Sequence, residues 1–257
     1  MTERTKPILR WQGGKARLLK HILPLIKPHV CYSEPFCGGG AVLFAKERAP
    51  TEVINDINGN LVALYRNLQF HLPSVLHELD WLFASRQNLR DFIAQPGLTE
   101  LQRAARFLLV NRTSFGGDMH SFGIAKTKGG GVGFHHEKVS ALIGAAHKRL
   151  EGVVIENCSY ERMFKNYDSE DTFHFIDPPY ENTANAAYQG WDHKQLTAFR
   201  REVAKLKGNW IVTLNDSPFT RDLFSGCTLQ PIVSENRAVN RRTHAKAKFG
   251  ELIITPK

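Results

Sequence analysis

Asp177-Pro178-Pro179-Tyr180 is the stretch of this sequence whose residue types could do chemistry most directly, and it follows the apolar run Thr172-Phe173-His174-Phe175-Ile176. An amine conjugated to an aromatic ring is a poor nucleophile, because its lone pair is delocalised. A carboxylate at Asp177 and the carbonyl of Pro178 can accept the two amino hydrogens and favour a pyramidal nitrogen aimed at an electrophile, while the two prolines restrict the backbone. Tyr180 adds a stacking face. Stacking of a base on an aromatic ring contributes ~1–3 kcal/mol, enough to offset much of the few kcal/mol needed to turn a base out of a duplex. A rigid Pro-Pro turn would account for the prolines alone. Placement at the carboxyl end of an expected strand favours a ligand-facing role.

A second candidate site is Glu34-Pro35-Phe36-Cys37-Gly38-Gly39-Gly40, between an expected strand and helix. Glycines there let the backbone approach a ligand and take positive φ. Asp56 closes the next expected strand, where a carboxylate can accept from both hydroxyls of a ribose at ~1.5–3 kcal/mol per good bond. A tight turn would explain the glycines in isolation; the spacing to Asp56 favours a nucleoside cofactor. The run lacks the G-x-G-x-x-G of a dinucleotide site, and Gly13-Gly14-Lys15-Ala16 lacks the upstream glycine and the Ser/Thr of a phosphate loop. Neither NAD nor ATP is favoured.

The elements that must hold these sites alternate. Periodicity predicts a helix over 15–25, a strand over 30–34, a helix over 40–48, a strand over 52–56 and a helix over 59–70. From there to about residue 150 the pattern is helical, including a helix capped by Thr99 and Gln102. A glycine-rich loop, 112–134, follows that helix, and His135-His136 begin the next. Strands return at 153–156, 172–176, 210–214, 228–233 and 249–255, with a helix capped by Asp192 and Gln195 among them. The pattern implies an α/β sheet with helices on both faces, interrupted by a helical insertion.

Composition is that of an ordinary globular chain: 257 residues, 42% hydrophobic and 23% charged, which excludes a disordered or fibrous protein. The formal charge of +9 suits a polyanionic partner. Cys31, Cys37, Cys158 and Cys227 form no C-x-x-C pair, and no metal-ligand spacing is present, so reduced thiols and no metal are expected. No run has the length of a membrane span and no leader or lipidation box is evident. A cytoplasmic protein is expected.

Together these motifs resemble the DNA adenine methyltransferases of the Dam type, over nearly the whole chain. Trp11-Gln12-Gly13-Gly14-Lys15 is similar to that family's W-x-G-G-K, Glu34 to Gly40 to its E-P-F-x-G-x-G, Asn55-Asp56-Ile57-Asn58 to its D-I-N segment, and Asp177 to Tyr180 to its catalytic tetrapeptide. The resemblance implies a Rossmann-like, S-adenosylmethionine (SAM)-dependent methyltransferase fold. It implies a cofactor pocket of Trp11, Lys15, Phe36, Gly38, Gly40, Asp56, Ser159, Tyr160 and Asp177, with Asp177, Pro178 and Tyr180 catalytic. Leu109-Val110-Asn111-Arg112 resembles the L-N-R that opens the DNA-reading region. The implied DNA contacts are Asn111, Arg112, Phe115 and Lys126 and Lys128 of the glycine-rich loop, then Arg237, Arg241, Arg242 and Lys246 of a basic hairpin before the last strand. Such basic side chains contact phosphates without specifying bases. Phe115 and Phe122 could wedge between unstacked bases or pack the insertion. Where the family has Y-x-Y-N-G this chain has Thr113-Ser114-Phe115-Gly116-Gly117, so recognition of GATC does not follow.

The expectation is therefore a discontinuous SAM-binding catalytic domain, 1–66 and 151–257, carrying a target-recognition domain, 67–150. It would methylate the 6-amino group of a flipped adenine in double-stranded DNA, with a monomer sufficing. The same chemistry on RNA adenine or on the 4-amino group of cytosine, and a non-catalytic DNA-binding relative, are the alternatives.

Overall fold

The computed structural model describes residues 5–124, 131–181, 190–235 and 248–257. Seven strands, β1 (Cys31–Glu34), β2 (Thr51–Asn55), β3 (Val154–Glu156), β4 (Thr172–Ile176), β5 (Asn209–Asn215), β6 (Thr228–Glu235) and β7 (Lys248–Thr255), form one sheet in the order β3-β2-β1-β4-β5-β7-β6. β1 to β5 are parallel, and β7 is antiparallel to both its neighbours. The helices are α1 (Leu19–Ile22), α2 (Ala41–Ala45), α3 (Gly59–Phe70), α4 (Leu72–Asp80), α5 (Arg86–Ala94), α6 (Glu100–Thr113), α7 (His136–Leu150), α8 (Tyr160–Tyr167), α9 (His193–Val203) and α10 (Pro218–Leu223). None of the described helices is long and apolar enough to cross a membrane.

Strand alternation sorts side chains between two faces. Phe173, Phe175, Ile211 and Ile253 join one core with Leu61, Leu64, Leu108 and Ile143, whereas Ile176, Val212, Leu214, Leu252 and Ile254 join another with Phe164, Leu196 and Phe199. The first core continues from α3 into α6 and α7, so the helical segment is built onto the sheet's own packing. Both capping boxes expected from the sequence, at Thr99 with Gln102 and at Asp192 with Gln195, are formed.

Two helices are shorter than their periodicity predicts. The segment expected as one helix over 15–25 is a 3-10 turn at Lys15–Arg17, then α1, then a second 3-10 turn at Leu23–Leu25; Pro24 has no N–H to continue the ladder. α2 stops at Ala45 because Lys46 turns to extended backbone and its ammonium pairs with Glu52.

That pairing belongs to a buried polar group beneath the site. Arg149, in the last turn of α7, holds Glu52 of β2 in a bidentate pair at 2.5 and 2.9 Å. Burial alone would raise the Glu52 carboxyl, yet the Arg149 guanidinium and Lys46 ammonium bring it below its ordinary value. Glu34, also buried, has no cation in direct contact among the described residues. It accepts from the Tyr32 hydroxyl at 2.6 Å and from the Leu43 amide in α2. Burial dominates, and its carboxyl is raised to about 7 from the ordinary 4.5.

Native Glu34 thus holds a proton that the unfolded chain has released across that interval, and its contribution is lost as pH rises through about 7. Wild type is expected to lose up to ~3 kcal/mol more unfolding free energy than Glu34→Gln between about pH 5 and pH 8. Urea titrations at each pH would measure this, and parallel curves for the two proteins would overturn it.

Candidate active site

Strand order reverses between β1 and β4, so the connections leaving these neighbours run to opposite sides and a crevice opens at their carboxyl ends. Both sequence-predicted sites lie there. Pro35 to Gly40 follows β1, and Asp177 to Tyr180 follows β4.

The glycine turn is built around Trp11. Gly38 and Gly40 have φ of 46° and 65°, and a Cβ on Gly38 would stand 2.6 Å from the Trp11 Nε1. Asp56, 2% exposed, accepts from the Gly38 amide at 3.0 Å through Oδ2 and from the Asn58 amide at 2.9 Å through Oδ1. It therefore pins the turn after β1 to the turn after β2. Asn55 extends the strap: its Nδ2 donates to the carbonyls of Pro35 at 2.8 Å and Cys158 at 3.0 Å, while its Oδ1 accepts from the Cys158 amide at 2.8 Å. Asn157 Nδ2 donates to the Asp56 carbonyl at 2.7 Å. Three strand-end loops are thus tied into one wall.

Ser159 caps α8, and Tyr160 begins it. The Tyr160 ring lies 5.5 Å from that of Phe36, and Trp191 stands 5.6 Å from each of them. A glycine cradle, a buried carboxylate and an aromatic wall fit a nucleoside cofactor. The sequence reading missed Asn157 and Trp191 and saw Asn55 only as part of a motif. Trp191 carried a signal: it precedes the capping residue Asp192, the position from which an apolar side chain packs back on its helix.

On the other lip, Asp177 is held from two sides. Lys15, 3% exposed, places its Nζ 2.7 Å from Oδ2, and Thr213 donates to Oδ1 at 2.7 Å. The same ammonium donates to the Gly13 carbonyl and lies 4.9 Å from the centre of the Tyr180 ring. Pro178 is buried and Tyr180 half-buried, with its hydroxyl donating to Glu251 Oε2 at 3.3 Å. Burial, then the neighbouring Asp177 and Glu251 carboxylates, push the Tyr180 phenol well above its ordinary value, so it stays neutral. Burial also raises the Glu251 carboxyl, against the pull of Lys15. Thr213 and Glu251 were missed, although each is a polar side chain inside an apolar strand.

The expected DNA contacts divide. Phe115 is 57% exposed. Arg112 is half-buried and donates from Nε to the Gly133 carbonyl at 3.2 Å, and burial together with Arg10 lowers its basicity. Asn111 requires correction: it is fully buried, its Oδ1 accepts from the Arg10 amide at 2.9 Å, and its Nδ2 donates to the Arg10 carbonyl at 3.0 Å. It supports the chain leading into Trp11 and presents nothing to a duplex. Phe122 packs under the Arg86 guanidinium, 5.1 Å from it. Lys126, Lys128, Arg237, Arg241, Arg242 and Lys246 lie outside the described residues. His136 pairs with Asp80 at 2.8 Å, and the four cysteines are free thiols.

Known proteins share this sequence pattern. A type II methyltransferase, M1.LlaDCHI, of Lactococcus lactis subsp. cremoris is 27% identical over 280 residues, covering 97% of this chain and 95% of the relative. A DNA adenine methylase of Haemophilus influenzae is 26% identical, covering 96% and 92%. The type II methyltransferase M.CviBI of a Paramecium bursaria Chlorella virus is 25% identical, covering 86% and 87%. Residues 11–240, which include both lips of the crevice, match the family described as D12 class N6 adenine-specific DNA methyltransferase, and the chain belongs to that family.

Proposed function

We propose that this chain transfers the methyl group of SAM to the exocyclic 6-amino group of an adenine turned out of double-stranded DNA. The observation that carries this reading is the placing of Asp177: it stands at the carboxyl end of β4, fixed by Lys15 and Thr213, across the switch point from the turn that Asp56 pins. Bound SAM supplies an electrophilic methyl group on a sulfonium whose departure leaves a neutral thioether.

The chain's own residues account for the rest. Gly38 and Gly40 keep the turn free of side chains, Asp56 offers a carboxylate to a ribose, and Phe36 and Tyr160 supply an apolar wall for the cofactor's base. Lys15 and Thr213 hold the Asp177 carboxylate in one orientation. Asp177 and the Pro178 carbonyl then accept hydrogen bonds from the two amino N–H groups of adenine and direct the nitrogen lone pair out of conjugation, and after methylation the nitrogen sheds one of these protons to solvent. Tyr180 stacks on the base, which offsets part of the cost of flipping. Residues 67–150 serve as the target-recognition region on a catalytic domain of 1–66 and 151–257, with Phe115 on its exposed loop. One copy of the chain carries every group this reading uses.

The direct test is incubation with labelled SAM and unmethylated plasmid, followed by digestion to nucleosides. Label is expected in 6-methyladenine, and Asp177→Ala is expected to lower the rate on the order of 10²–10³-fold or more. Label in 4-methylcytosine, or only with RNA, would keep the chemistry and replace the substrate. Gly38→Ala, which drives a Cβ against Trp11 at a positive φ, is expected to weaken SAM binding at least about tenfold by calorimetry; unchanged affinity would remove the glycine turn from the pocket. Asn111→Ala strips the Arg10 backbone of both partners and is expected to cost ~1–3 kcal/mol of stability. The folded variant should discriminate target from non-target DNA as wild type does; lost discrimination would make Asn111 a base-contacting residue after all.

A further inference from the structure

We infer that Glu251 is a positioning residue for the tetrapeptide, acting through the hydroxyl of Tyr180; the inference rests on the methyltransferase reading of the same site. β7 pairs antiparallel with β5, which is parallel to β4, so a residue in the first half of β7 lies at the end of the sheet where β4 and β5 finish. Glu251 is paired there with Asn215, the last residue of β5. The three residues that follow it, Leu252, Ile253 and Ile254, are buried core. A carboxylate next to them, close enough to Asp177 for the two to repel, is costly, and the cations and donors around it are few. Among the described residues, Lys15 and the Tyr180 hydroxyl act on it.

The geometry identifies what this carboxylate does. A tyrosine side chain is free in two torsions, and the prolines before Tyr180 fix only their own φ and the residue preceding each, so its ring must be held through the side chain. Its ring is flanked by the Lys15 ammonium at 4.9 Å, and its far end donates to Glu251 Oε2 at 3.3 Å. The Thr213 hydroxyl, which donates to Asp177, also reaches the Tyr180 hydroxyl. A ring tethered at both ends presents one stacking face before any base arrives, so the cost of ordering it is met in folding. Glu251 touches neither base nor cofactor in this role; it acts only by where it keeps Tyr180.

A double-mutant cycle separates this from a general structural role. Initial methylation rates would be measured for wild type, Tyr180→Phe, Glu251→Met and the pair, with SAM affinity by calorimetry as the check on folding. Methionine matches glutamate in length and cannot accept this bond well. Each single change is expected to lower kcat/KM about tenfold, the pair no further than the worse single, and Glu251→Gln, which keeps an acceptor, to recover most of the rate. Losses that multiply in the pair, or Glu251→Gln as slow as Tyr180→Phe, would overturn the assignment; the second comparison stands even if Glu251→Met does not fold. The same cycle on urea unfolding needs no turnover and is expected to show coupling of about threefold or more in the unfolding constant. A wild type that methylates no nucleic acid would sink the functional reading, while strict additivity in unfolding would sink the tether.

Discussion

A carboxylate that must accept hydrogen bonds from a small, planar substrate has to be kept in one orientation at the edge of a water-excluding crevice. On the proposed function that constraint falls on Asp177, and the pair with Lys15 at 2.7 Å would meet it. The ammonium comes from a 3-10 turn near the start of the chain, far in sequence from the strand it serves. Lys15 is itself tied to the Gly13 carbonyl, so the amino-terminal segment cannot shift without moving the carboxylate. Thr213 closes the other side from β5. Three distant stretches of chain therefore meet at one group, and only the completed sheet brings them together.

The opposite wall is organised differently, by neutral amides. Asn55 and Asn157 donate to backbone carbonyls, and Asp56 collects backbone amides, so the loops after β1, β2 and β3 become one surface. Beneath it, Glu34 reaches into α2 and Arg149 crosses from α7 to β2. Such buried polar contacts add modest net stability, but each leaves an unsatisfied group if its partner moves. They make the position of the wall strongly specified.

Much of this was legible in the residues. Hydrophobic runs rich in β-formers located the seven described strands, two capping boxes marked α6 and α9, and the motifs at Glu34 and Asp177 fell on neighbouring strand ends. Three kinds of information were not local. Helix lengths at α1 and α2 depended on a proline and on a lysine drawn away by Glu52. The role of Asn111 depended on a partner about a hundred residues upstream, since an exposed contact and a buried clamp look alike in a motif. Thr213 and Glu251 could be recognised only as polar interruptions of strands, because what they touch is set by strand order and not by neighbours in sequence.

The clamp at Asn111 also joins two regions far apart in sequence. Its helix, α6, leads into the exposed loop at Phe115, while the backbone it grips, at Arg10, leads directly into Trp11 over the glycine turn. This pair of buried hydrogen bonds is one of the contacts that join the two ends; the Arg10 segment also packs closely on Gly117 and Gly133. On the proposed function, whatever free energy duplex binding at the loop passes through this clamp to the cofactor turn, cofactor binding returns in equal measure. The segment that would read a duplex and the turn that would hold the methyl donor meet, on that function, at this clamp.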